Sequence, residues 1–230
     1  MTGKWMEFSV LVQRWTFGND GIILSVGKES LMSTKKIPVL AIIGCLALAM
    51  LASTPQLSKK ISMFGYKSEA AGIKLIVDAE IARLRGGEKY IPLVIWLGHG
   101  EKRTIRVGRE SFTLVDPGGN SYALPAHDEV VKEYGAGLMS FDYDLARKMN
   151  DYGSMDFLSS KHMRKVVFFP NPSSGAVMYD NAELPNRSYI KTMLYFPNKA
   201  GKSGGDYVLT YEDKKSGDKV STVFKVEWMK

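Results

Sequence analysis

One cysteine, three histidines and no run of five like charges in 230 residues narrow the chemistry before any element is placed. The lone Cys45 leaves no disulfide to staple the chain, so stability must come from a hydrophobic core, which about 160 residues can supply. His99, His127 and His162 stand apart, each without a second ligand at i+2 or i+4, so no metal site of recognised spacing is expected. Asp142-Tyr143-Asp144 lacks the glycine-bearing loop and later glutamate of a calcium-binding hand. A G-x-S-x-G elbow, H-E-x-x-H, a P-loop and G-x-G-x-x-G are all missing, and no cofactor is expected. A hydrolytic site would have to assemble through space, and His127, Asp156 and His162 are its first candidates. The formal charge is +7, with 26 basic and 21 acidic residues falling in 53–230. That mild, dispersed excess suits a solvated domain or an anionic envelope surface, and it lacks the clustering that nucleic-acid binding needs.

What is present first is an apolar run at residues 37–52, IPVLAIIGCLALAMLA, directly after Lys35 and Lys36. Lysines before a continuous apolar segment that ends in small residues form an export signal, because the segment partitions into the membrane while the charges stay behind. Three fates are open to it. Cleavage is offered by the small residues at Ala47 and Ala49 or at Ala52 and Ser53. Lipidation is offered at Cys45, since Ile42-Ile43-Gly44-Cys45 resembles the bacterial lipobox. Retention as an anchor would need neighbouring apolar residues, because 16 residues fall short of the ~20 that span a bilayer. Met32 reads as the start of this signal (residues 32–52), which leaves 1–31 as an extension upstream of the true start. Trp5, Phe8, Val10 and Val12 within it read as a strand fragment with nothing to pair with.

Residues 53–71 hold no sustained period and are expected to be a linker. From there the period is two: Ile73, Leu75, Val77, Ala79 and Ile81 predict one strand, closed by a turn at Arg85-Gly86-Gly87. Residues 90–97, YIPLVIWL, predict a strand that buries Trp96, with Pro92 pointing to an edge position or a strand start. Short strands at 104–107, 111–115 and 121–124 follow, with a turn at Asp116-Pro117-Gly118-Gly119. Val130, Tyr134, Leu138, Phe141, Leu145 and Met149 then recur at steps of three or four, one apolar helical face divided near Gly135 and Gly137. Strand character returns at 166–169, at 190–196 as a central strand, and in a closing hairpin in which Tyr207, Leu209 and Tyr211 oppose Phe224, Val226 and Trp228.

The segment Ser203-Gly204-Gly205-Asp206-Tyr207-Val208-Leu209 resembles the entry to the penultimate strand of immunoglobulin-like sandwiches, where a tyrosine makes the corner. Residues 111–122, SFTLVDPGGNSY, are similar to a phrase of exported bacterial domains of that class. The resemblance covers roughly residues 70–125 and 165–230, outside the helical part. It implies a mainly β fold: an immunoglobulin-like antiparallel β-sandwich over 72–230 with a helical insertion at about 126–165. The expected function is a non-catalytic exported or envelope-attached module that binds a protein or envelope partner, in the periplasm, the cell envelope or outside the cell. An envelope hydrolase and a purely structural accessory domain are the alternatives. In the insert, Tyr134, Met139 and Tyr143 are the candidate partner-binding residues, with Met139 and Tyr143 off the inward stripe that carries Leu138 and Leu145.

Overall fold

The computed structural model describes residues 14–18, 21–25, 58–149, 152, 162–164, 166–201 and 204–229. The chain divides into two compact units, Met1–Ser53 and Thr54–Lys230. In the first, β1 (Arg14–Gly18) and β2 (Gly21–Ser25) form an antiparallel hairpin in which Gly18 faces Gly21. This hairpin lies within the expected N-terminal extension, while the predicted strand fragment at Trp5, Phe8, Val10 and Val12, together with Met32 and the apolar run with Cys45, lies outside the described residues. No helix among the described residues is long and apolar enough to cross a membrane.

The second unit is mainly β. It opens with β3 (Lys59–Lys60), β4 (Gly65–Ala70) and β5 (Ile73–Asp78), then a short helix α1 (Glu80–Arg83) and the ten-residue β6 (Tyr90–His99). The expected linker therefore already contains two strands. Ala71 and Gly72, both at positive φ, make the two-residue turn that folds β4 back on β5, a conformation matched to the twist of a hairpin. Next come β7 (Ile105–Gly108), β8 (Phe112–Val115), β9 (Ser121–Ala123), α2 (His127–Tyr134) and α3 (Ala136–Lys148). The chain ends with β10 (His162–Arg164), β11 (Asn181–Leu184), β12 (Ser188–Pro197), β13 (Gly205–Glu212) and β14 (Lys219–Val226).

Six strands form one sheet in the order β10-β12-β6-β5-β4-β3, antiparallel except where β10 joins β12 in parallel. β6 is buried along its whole length, which a strand covered on both faces requires, and it lies between β5 and β12. Pro92 pairs with Tyr195 of β12, yet the β5 ladder starts only at Val94, so the proline sits near the strand start, beyond the reach of β5. A second antiparallel sheet has the order β14-β13-β8-β9, and β11 pairs with β7. Tyr207 faces Phe224 and stacks on it at 5.8 Å between ring centroids, as the hairpin reading expected, whereas Leu209 faces Thr222 and Tyr211 faces Val220. The two sheets share one core, where Thr222 Oγ1 of β14 donates to the Leu75 carbonyl of β5 (3.3 Å) and Tyr211 OH donates to the Arg106 carbonyl (3.0 Å).

The alternation of 73–81 does not continue as one strand. Asp78 ends β5, and its buried carboxylate accepts the Glu80 N–H at 2.8 Å, so Ala79 and Ile81 reach the core from the start of α1 instead. Burial pushes the Asp78 carboxyl up to about 6, against the pull of the Glu80 N–H and the Tyr152 hydroxyl. A carboxyl whose folded pKa lies above its unfolded one binds its proton more tightly in the folded state. Its contribution to stability is therefore fully present below about pH 4 and is lost as the pH rises through about 6. Relative to an Asp78→Asn variant, the wild type is expected to lose about 3 kcal/mol of unfolding free energy between about pH 4 and about pH 7. Urea unfolding of both proteins across that range checks it; a constant difference would show that Asp78 titrates as a solvated carboxyl.

Candidate functional site

Helices α2 and α3 are fastened to the sheet by a polar cluster within the core. Arg85 donates from Nε (2.9 Å) and Nη2 (2.7 Å) to Asp142 Oδ1, and Tyr134 OH donates to Asp142 Oδ2 at 2.7 Å. Asp142 is fully buried, and Phe141 covers the guanidinium from outside, its ring 5.1 Å away. Burial lifts the Asp142 carboxyl above its ordinary range, and the Tyr134 hydroxyl and Arg85 pull it back. Burial also works against the Arg85 charge, but Asp142 and Tyr134 together outweigh it, so the guanidinium stays ionised. Tyr195 packs beside this cluster, 5.5 Å from the Tyr134 ring and 5.4 Å from Phe169.

Opposite α3 runs the segment 166–179, where the apolar 166–169 had predicted a strand. It joins no ladder. Instead, three consecutive carbonyls are satisfied by side chains: Phe168 O by Arg109 Nη1 (3.2 Å), Phe169 O by the Tyr143 hydroxyl, and Pro170 O by His127 Nε2–H (3.2 Å). Buried backbone must find partners, and here side chains take the place of a neighbouring strand. Ser140 donates to Asn171 Oδ1 at 2.8 Å and ties the next turn to α3.

A groove lies between these two walls. Its inner part, about 200 Å³, is floored by Val94, Lys191, Thr192 and Met193 from β6 and β12 and walled by Tyr143, Ala146, Arg147, Val166 and Val167. Its outer part, about 540 Å³, continues past Tyr143, Arg147 and Val167 to Asp144, Asn171, Ser174, Ala176 and Val177. The floor is apolar apart from Lys191. Lys191 Nζ donates to the Ala146 carbonyl at 3.2 Å and lies 5.0 Å over the Trp96 ring. Thr192 contributes backbone to the floor, its side chain alternating to the other face of β12 from Lys191 and Met193. At the outer end Arg147 is paired to Asp144 at 2.7 Å, and Val177 is 68% exposed. An apolar trough with a few fixed polar groups has the chemistry of a recognition site for a partly apolar partner.

Of the sequence-predicted partner residues, Tyr143 alone lines this groove. Met139, expected to face outward, is fully buried, and Tyr134 is buried in the Arg85 cluster, so neither offers its side chain to a partner. The helical face is turned because Gly135, at φ 97°, breaks the helix and resets its phase. The stripe that α3 buries is Met139, Asp142 and Ala146, while Leu138 and Leu145 are half-buried against the core and Phe141 is 53% exposed. Asp142 and Asp144 are separated by their partners, Arg85 and Arg147. The histidines take separate posts: His99 against the Leu184 carbonyl at 2.9 Å, His127 against Pro170, and His162 exposed on β10. Asp156 and Cys45 lie outside the described residues. Among the described residues no three His, Cys, Asp or Glu side chains gather as a metal site. Lys191, Thr192 and Arg85 were not singled out by pattern, since each sits in a strand or turn that explains it locally.

No family model and no curated protein matches the chain. Among solved structures, the crystal structure of the yjhA protein from Bacillus subtilis is similar at 10% identity and a TM-score of 0.38, covering 70% of this chain and 96% of that one. That likeness is too distant to bear on fold family or function.

Proposed function

We propose that the chain is a non-catalytic module, exported and attached to the cell envelope, that binds a segment of a protein or envelope partner in the groove between α3 and residues 166–179. The observation that carries this reading is the groove itself: Val94, Val166, Val167 and Met193 line its apolar depth, with Lys191 on the floor and Tyr143 and Arg147 on its wall. Export and attachment rest on Lys35, Lys36 and the apolar run 37–52, which would end in cleavage, in lipidation at Cys45 or in retention as an anchor. The immunoglobulin-like sandwich belongs to the same proposal. It is supported by two largely antiparallel sheets around one core and by Tyr207 near the start of β13, stacked on Phe224.

A photo-crosslinking residue in place of Arg147, at the groove wall, should give a discrete adduct in intact cells, and one in place of Lys215, in the β13–β14 turn, should not. Val177→Arg, an exposed substitution expected to alter stability by less than about 0.5 kcal/mol, should reduce that adduct about tenfold. Equal adducts at both positions, or an adduct indifferent to Val177→Arg, would remove the groove from this reading.

A further inference from the structure

On the edge of the six-stranded sheet where the described unit begins, a cleft of about 170 Å³ opens among Lys60, Met63, Phe64, Arg83, Lys225 and Glu227. Three cations there surround one carboxylate. Lys225 Nζ is 2.8 Å from Glu227 Oε1, and the Lys225 bond first, then Lys60 and Arg83, hold the Glu227 carboxyl below its ordinary range. The Arg83 guanidinium lies 4.2 Å over the Phe64 ring, while its buried Nε has no hydrogen-bond partner among the described residues. The Arg83 carbonyl accepts the Met229 N–H at 3.1 Å, which brings the end of the chain to the same place. Two unbranched apolar side chains flank the cations, Met63 at 71% and Met229 at 57% exposure.

Cations beside exposed flexible apolar groups match the bilayer boundary, where an ammonium or guanidinium meets anionic headgroups and a methionine enters the acyl edge. Under the attachment proposed above, were the apolar run 37–52 retained in a bilayer, the six peptide units from Ala52 to Ser58 could span at most about 20 Å, which would keep this face within reach of the headgroups.

We infer that the face carrying Lys60, Met63, Arg83, Lys225 and Met229 docks on an anionic lipid bilayer. Its placement near the bilayer rests on the envelope attachment proposed above, whereas its charge and exposure do not. Each basic residue near an anionic surface strengthens association by about fivefold, and the effect is screened by salt.

The test mixes the full chain with vesicles of phosphatidylcholine alone or with phosphatidylglycerol added, and reads both flotation and amide hydrogen exchange. A Lys60→Glu/Lys225→Glu variant, altering two exposed side chains, is compared after its melting temperature is matched to the wild type. Flotation with phosphatidylcholine alone reads the apolar run. Docking of the face is read separately, as exchange of residues 59–64 and 227–229 slowed about tenfold or more by phosphatidylglycerol, reversed by salt and lost in the variant. If the chain floats only with phosphatidylglycerol, and the variant does not float, the face binds lipid and the anchor is wrong. Flotation with both vesicles and equal exchange in the two overturns the face and leaves the anchor standing. Flotation with neither overturns both.

Discussion

Arg85→Ala is expected to lower the unfolding free energy by about 3–5 kcal/mol. Asp142 is fully buried, and of its two oxygens one receives both Arg85 bonds and the other the Tyr134 hydroxyl. Without the guanidinium, a carboxylate is left in the core with a single neutral donor, and the penalty for desolvating it is no longer offset. The loss should concentrate on the helix pair, since Arg85 precedes β6 while Asp142 and Tyr134 belong to α3 and α2. Replacing both charges with apolar groups of similar size, as Arg85→Met/Asp142→Leu, should recover most of the loss, because a buried pair is seldom more stabilising than well-packed hydrocarbon. Urea unfolding of the three proteins decides the matter. A single-variant loss under about 1 kcal/mol would mean that water already reaches Asp142.

Trp96→Ala should cost a comparable amount, about 3–5 kcal/mol. Trp96 is fully buried in the middle of β6, paired with Ile76 on one side and Lys191 on the other. The Tyr152 ring meets its edge at 5.0 Å and the Lys191 ammonium lies over it at the same distance. Truncation opens a cavity between two sheet neighbours that cannot collapse without breaking their ladder, and it also removes the surface on which Lys191 rests beneath the groove. Trp96→Phe, which keeps a ring in place, should lose distinctly less. A change within about 0.5 kcal/mol for the alanine variant would contradict the core position described for this side chain.

What could be read from the sequence was whatever a single period governs. β12 and the β13–β14 hairpin appeared at the expected places, because their alternation runs unbroken and the Ser216-Gly217 turn is chemically marked. The β4–β5 hairpin was hidden by its turn. Ala71 takes positive φ where asparagine or aspartate would have announced it, and so its first strand looked like linker. At 73–81 the apolar residues suit a strand throughout, yet the Asp78 carboxylate turns the chain into α1, a local hydrogen bond overriding periodicity. In the insert, the phase was carried across Gly135 as though one helix continued. That placed Leu138 inside and Met139 outside, the reverse of their relative burial. The true stripe of α3 includes Asp142, a residue no apolar pattern assigns to a core; only its partner Arg85, 57 residues earlier, makes it one. The groove was unreadable for the same reason, since Lys191, Tyr143 and Val167 meet through the fold rather than through spacing.

Two ladders in this domain join strands far apart in sequence, β6 with β12 and β8 with β13. β5 and β6 are near neighbours in sequence, but β6 pairs with β12 from Tyr90↔Pro197 to Gly98↔Tyr189, so that zipper closes a loop of roughly a hundred residues. Loop closure must precede the reward of such contacts, which makes this pairing entropically costly to begin. Until it occurs, the ten-residue β6 (Tyr90–His99) has its β12 edge unpaired throughout and both edges unpaired over residues 90–93, a template for pairing with another chain. Pro92 is the one position in it that cannot donate to a foreign strand, and it lies in the half of β6 that β5 leaves unpaired. Kinetic protection of the nascent chain thus falls to the part of β6 that the β12 ladder alone covers.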